Sequence, residues 1–224
     1  MESSGHSSHA GGAEKPILSG ASAMARFLVE GVVIRHVGPV DLAIRAGECV
    51  CLSGPSGSGK SLLLRALADL DPHAGDARLD GRSAEGFAPA DWRRRVGLLP
   101  AESHWWTDRV GDHFARWDGE AAALLGFGPE TRLWSVTRLS TGERQRLALL
   151  RLLANDPAVL LLDEPTASLD AASVGRVEAL VAEYRRSRDA AVLWVSHDPD
   201  QAGRVAGRRY RLEAGRVVAE AAGA

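Results

Sequence analysis

The sequence predicts an α/β fold: a parallel core sheet with helices, preceded by an antiparallel β-layer. Three observations point to it. Two continuous apolar runs, Cys49-Val50-Cys51-Leu52 and Ala158-Val159-Leu160-Leu161-Leu162, have the length and composition of strands buried on both faces, the pattern of parallel sheets. Each is followed by polar, chemistry-bearing residues, and the first also by a Leu-rich helical stretch. Between Phe27 and Ile44, short β-prone runs alternate with Gly and Pro, the pattern of an antiparallel layer.

Along the chain, residues 1–24 are rich in Ser, Gly, Ala and His without apolar periodicity, a composition too poor in buried surface to offset the entropy of ordering. They are expected to be a disordered low-complexity tail, with His6 and His9 part of a solvated segment. The folded domain is expected over 25–224. Phe27–Val29, Val32–His36 and Val40–Ile44 are expected strands. Glu48–Ser53 reads as a buried strand, and Ser61–Leu70 as a helix closed by Asp71-Pro72. A third apolar strand runs Ala191–Val195, and a final hairpin turns near Gly215.

Composition narrows the function. At 224 residues and a formal charge of −2, the chain has the size of one domain or a tight pair of subdomains. No run approaches the roughly 18 apolar residues of a membrane span, and the N-terminus lacks the basic-then-apolar pattern of a secretory leader. Arg93, Arg94 and Arg95 are too few for the basic stripe of a nucleic-acid binder. Cys49 and Cys51 share a strand face, poor geometry for a disulfide, so they are expected in the core of a protein kept in a reducing cytoplasm.

The first buried strand runs into Gly54-Pro55-Ser56-Gly57-Ser58-Gly59-Lys60-Ser61 and then Leu62. Glycines at these spacings let successive backbone N–H groups point inward, and the helix that follows adds its positive end, so the guest is a triphosphate. This is a complete phosphate loop of the P-loop NTPase class. Lys60 would bridge the β- and γ-phosphates of ATP and the Ser61 hydroxyl would ligate Mg²⁺. Asp163-Glu164, at the tip of the strand ending in Leu162, places two carboxylates where ligands of such sheets sit. Asp163 is suited to the Mg²⁺ shell and Glu164 to acting as general base toward water.

Leu139-Ser140-Thr141-Gly142-Glu143 resembles the signature motif of the ATP-binding cassette superfamily. The likeness continues through Ser168-Leu169-Asp170, similar to the D-loop, and Ser196-His197-Asp198, similar to the switch-histidine motif. The resemblance implies a transporter ATPase hydrolysing ATP with Mg²⁺, with a helical insertion over 88–153 holding the signature motif. It implies a homodimer or heterodimer in which ATP lies between one phosphate loop and the partner cassette's Ser140, Thr141 and Gly142. It assigns His197 and Lys60 to the γ-phosphate and Asp170 to linking the two sites. It further implies a transmembrane permease partner, a peripheral position on the inner face of the cell membrane, and no nucleic-acid partner. A soluble cassette ATPase remodelling nucleic acid or ribosomes, or a weakly hydrolysing switch, are the alternatives. The run Ala191–Asp198 is also similar to short bacterial cassettes paired with metal-exporting permeases.

Three departures from the family pattern stand out. Ala101 occupies the place of a glutamine that senses Mg²⁺ and the permease, leaving Glu102 as either an exposed loop acid or a substitute ligand. The adjacent Trp105 and Trp106 point to different sides of an extended segment, one toward the core and one free to anchor a partner. No aromatic residue lies between Val29 and Gly47 to stack on adenine, and His36 is the candidate replacement. Thr141 stands where a glycine is usual.

Overall fold

The computed structural model describes residues 25–220; the tail expected over 1–24 lies outside them. The N-terminal layer is a four-stranded antiparallel sheet. Its strands are β1 (Ala25–Ile34), β2 (Val37–Arg45), β4 (Ala74–Leu79) and β5 (Arg82–Ser83), in the order β2-β1-β4-β5. The runs Phe27–Val29 and Val32–His36 merge into β1. Gly31, at φ 61, absorbs the register shift between them, while Arg35 and His36 form the turn into β2.

The second sheet comprises β3 (Cys49–Ser53), β6 (Val96–Leu99), β7 (Val159–Asp163), β8 (Ala191–Val195), β9 (Arg208–Glu213) and β10 (Arg216–Ala219), in the order β10-β9-β3-β8-β7-β6. All neighbours pair in parallel except β9 with β10, the expected C-terminal hairpin. Every residue of β7 and β8 is buried. The pleat divides their side chains between two cores. Val50, Leu52, Leu161, Leu193 and Val195 face the first sheet, while Cys49, Leu160, Leu162, Val192 and Trp194 face the helices behind. Fully burying one such Leu or Val contributes about 1.5–3 kcal/mol relative to exposure. This two-sided burial explains why the strands lack polar alternation.

Helix α1 (Lys60–Leu67) lies between the sheets, with Leu63, Leu64 and Leu67 in the core shared with Phe27, Val29 and Leu161. It ends earlier than Asp71-Pro72 led one to expect. Asp69 turns left-handed at φ 55, Trp92 Nε1 donates to the Leu67 carbonyl at 3.0 Å, and Arg93 donates to the Asp69 carbonyl. Side chains from α2 (Pro89–Arg95) thus satisfy carbonyls that another helical turn would have used.

Residues 88–153, expected as one helical insertion, include a core strand. β6 pairs with β7 from Val96↔Val159 to Leu99↔Leu162, because Val96 and Leu99 each bury their side chains in a core. The excursion proper begins after Leu99. It comprises short 3-10 turns, α3 (Gly119–Leu124) and finally α4 (Thr141–Leu153), which packs back on the sheet through Leu147, Leu149 and Leu150. Helices α5 (Ala171–Arg188) and α6 (Pro199–Val205) complete the layer behind the sheet.

Candidate functional site

Parallel registration brings the chemistry to one edge. Leu52 is opposite Val195, Asp163 is opposite Val195, and Leu99 is opposite Leu162. The phosphate loop after Ser53, the Asp163-Glu164 pair, the His197 loop and the Pro100 loop therefore leave the sheet together at its carboxyl edge, where doubly wound sheets bind ligands.

The loop is shaped by what its glycines touch. A Cβ on Gly54, at φ 144, would come within 2.4 Å of the Leu212 carbonyl; on Gly59, at φ 104, it would meet Val37 Cγ2 at 2.3 Å and His36 Nε2 at 3.4 Å. The N-terminal β-layer thus closes directly on the loop, and His36 sits at its rim. Gly59 precedes α1 in a left-handed conformation, which turns the chain so that the first helical amides face the loop. Lys60 is 6% exposed, and its Nζ donates to the carbonyls of Gly54 (2.8 Å) and Pro55 (3.0 Å). Burial lowers its pKa, against the pull of Glu164 and Asp163. Pro55, Ser56, Gly57 and Ser61 are exposed on the loop, while Ser58 and Leu62 are half-buried beside them.

Asp163, the last residue of β7, is buried. Burial raises its pKa and Glu164 adds to the rise, while a hydrogen bond from Ser61 and the charges of Lys60 and His197 oppose it. Ser61 and Asp163, assigned to Mg²⁺ from the sequence, are therefore adjacent: a hydroxyl and a desolvated carboxylate, a hard-oxygen pair that fits that cation. Glu164 follows at φ 49, an uncommon left-handed conformation for a residue with a long side chain. Its carboxylate Oε1 meets His197 Nε2 directly. The base and the switch histidine named from the sequence thus form one pair, both partly exposed.

Ser140 is the N-cap of α4. Its hydroxyl accepts from the Glu143 amide at 3.2 Å, and its own amide donates to the Glu143 carboxylate at 2.8 Å, a reciprocal capping box. Thr141 is exposed, and a Cβ on Gly142 would touch Leu169 Cδ2 at 3.0 Å, so signature motif and D-loop pack together. Asp170 caps α5, its two oxygens accepting from the Ser173 amide and hydroxyl, which lower its pKa. Among the described residues, no hydrogen bond or ion pair links Ser140, Thr141, Gly142 or Asp170 to the phosphate loop.

Ala101 and Glu102 are both exposed. Gln145 holds their loop on either side, donating to the Pro100 carbonyl and accepting from Ser103 Oγ, both at 3.3 Å. Trp105 packs on the rear core, while Trp106 is 69% exposed; His113 and the Arg151 guanidinium contact both rings. Cys49 and Cys51 are free and buried, with burial pushing the Cys49 thiol up to about 12. Sequence reasoning missed two buried amides, Gln145 and Gln201 (3% exposed). Each lies in a polar stretch with no local mark that tertiary contacts bury it.

Residues 37–167 match the family model described as ABC transporter. The chain is 40% identical over 213 residues to the hemin import ATP-binding protein HmuV of Nocardia farcinica, covering 85% of this chain and 72% of that protein. It is 42% identical over 183 residues to the aliphatic sulfonates import ATP-binding protein SsuB 3 of Paraburkholderia xenovorans, covering 80% and 72%. Protein STAR1 of rice is 38% identical over 192 residues, and there the match spans only 56% of the relative's length. Among solved structures, a dimeric ATP-binding cassette in a post-hydrolysis state bound to ADP and phosphate superposes with a TM-score of 0.75. It is 22% identical and covers 87% of this chain and 97% of that one, a likeness of fold.

Proposed function

The chain belongs to the ABC transporter family and is an ATPase, and from that premise we propose that it energises transport through a partner membrane permease. The observation that carries the catalytic reading is Glu164, held in a left-handed backbone against His197 beside the Lys60, Ser61 and Asp163 cluster. Glu164 takes the proton of the attacking water. His197 and Lys60 stabilise the charge spread over the γ-phosphoryl oxygens. Ser61 and Asp163 hold Mg²⁺, which when bound neutralises phosphate charge.

Two cassettes pair head to tail, so that Ser140, Thr141 and Gly142 of one complete the phosphate site of the other, and Asp170 lies between the two sites. The α4 N-terminus supports this. It offers amides and a positive helix end to an anion, yet makes no bond to its own chain's phosphate loop. Import is the favoured direction, because relatives at about this likeness are named as import ATP-binding proteins for hemin and sulfonates. No helix among the described residues is long and apolar enough to cross a membrane, which fits a peripheral position on the inner face of the membrane.

Glu164→Gln is expected to keep ATP affinity, accumulate an ATP-bound dimer on size exclusion, and lower turnover by about 10²-fold or more. Parental turnover in that variant would refute the assignment. In vesicles carrying the permease, ATP-driven cargo uptake should be lost with the same substitution, and uptake that persists would refute the coupling.

A further inference from the structure

We propose that Gln201 is a positioning residue for ATP hydrolysis, locking the loop that carries Glu164 to the loop that carries His197. The inference rests on the catalytic reading of that pair. Gln201 lies on α6 and is 3% exposed, and its side-chain amide is saturated. Its oxygen accepts from Ser196 Oγ at 2.9 Å and Trp194 Nε1 at 3.3 Å. Its nitrogen donates to Thr166 Oγ1 at 3.0 Å and Glu178 Oε1 at 2.9 Å. Two acceptor sites and two N–H groups are the whole capacity of a primary amide.

The four partners sit at informative places. Ser196 immediately precedes His197, and its hydroxyl also accepts from the Asp198 amide at 3.1 Å, so the backbone is held on both sides of the histidine. Thr166 belongs to the turn that starts at Glu164, closed by the Ala167 amide on the Glu164 carbonyl at 3.2 Å. Trp194 belongs to β8, the strand that delivers His197. Glu178, on α5, is fixed in turn by Arg204 at 2.9 Å. Glu164, Thr166, Ser196, His197 and Gln201 line one small pocket of about 190 Å³. Glu164 and His197 leave different strands, and among the described residues this buried amide bonds to the loops of both. A strained left-handed residue persists only where its surroundings over-determine it, and the Thr166 bond to Gln201 supplies such a restraint two residues from Glu164.

The test uses the full chain with Mg²⁺ and ATP. Gln201→Leu keeps the approximate volume and removes all four bonds. We expect kcat to fall about 10- to 100-fold, the scale of a misplaced catalytic group, with KM for ATP within about twofold, because the phosphate loop makes none of these bonds. The melting temperature is measured on the same samples. A lower melting temperature with parental kcat per folded molecule would mean a purely structural role and overturn the proposal. Should that variant fail to fold, Gln201→Glu opposes two carboxylates at positions 201 and 178 and should also lower kcat. Adding Glu178→Gln restores an N–H···O bond between these positions while Ser196 and Trp194 still donate to position 201 and the Thr166 hydroxyl, 3.2 Å from the Gln201 oxygen, turns from acceptor to donor, and should recover most of the loss. A double variant no better than Gln201→Glu alone overturns the proposal. Glu164→Gln is assayed alongside: if it turns over normally the catalytic reading itself has failed, whereas if it is inactive and Gln201→Leu is parental, only the positioning role has.

Discussion

Substituting Gly59 by Ala tests whether the N-terminal β-layer presets the phosphate loop. The backbone there is at φ 104 and the new Cβ would lie 2.3 Å from Val37 Cγ2. A left-handed conformation costs a residue with a Cβ about 1–2 kcal/mol. Overlap with Val37, which is fully buried, adds about 1–3 kcal/mol for overpacking a site that cannot yield freely. The sum, about 2–5 kcal/mol, lowers the melting temperature by roughly 4–20 °C, at about 2–4 °C per kcal/mol for a chain of this size. The two terms separate in a double-mutant cycle. Val37→Ala removes the colliding methyl and leaves the conformational demand, so the pair should couple favourably by about 1–3 kcal/mol. ATP affinity by calorimetry should stay below parental in both Gly59 variants, since the demand falls on the loop itself. A parental melting temperature for Gly59→Ala, or zero coupling with Val37→Ala, would refute the reasoning.

Glu102→Ala is expected to reduce basal turnover while Ala101→Gln leaves it within about an order of magnitude, if the exposed acid serves as the substitute Mg²⁺ ligand; a steady-state ATPase assay showing the reverse would reject Glu102. The Glu48–Arg208 pair ties β3 to β9, with Arg208 Nε 2.6 Å from the carboxylate. Burial pushes the Glu48 pKa up, but the Arg208 hydrogen bond, the Arg45 amide and the nearby positive charges outweigh it and hold it below 4.5. A depressed folded pKa contributes stability above the unfolded value that is lost as pH falls through the folded one. Arg208→Ala should therefore destabilise by roughly 1–3 kcal/mol at neutral pH, and its gap from the parent in thermal melts should shrink as pH drops below 4.5. A gap unchanged into that acid range would contradict the assignment.

Much of the candidate site was legible because its information is local. Lys60 and Ser61 are read from their spacing to Gly54, and Asp163 and Glu164 from their place at the tip of an apolar run; the structure puts each at the strand edge so implied. Elements failed where tertiary contacts overrule local pattern. The end of α1 was read from Asp71-Pro72, yet Trp92 and Arg93 take up the carbonyls of Leu67 and Asp69 and stop the helix first. Val96–Leu99 read as part of an insertion, and only pairing with β7 makes it a core strand. Asp170, which the resemblance assigns to linking two sites, is within its own chain the cap of α5, a role that only the fold of the following helix makes visible.

By itself, the sequence determined which residues are the candidates for the chemistry, because a phosphate loop, a strand-tip carboxylate pair and a strand-tip histidine depend on neighbours only a few positions away. The tertiary structure alone decided which of them touch. Glu164 meets His197 because β7 and β8 are paired in parallel register, and Gln201 reaches Thr166, Glu178, Trp194 and Ser196 because α6 folds over both strand ends. A hydrogen bond between segments distant in the chain leaves no period in the sequence, and whether an amide is buried depends on what the rest of the fold lays over it.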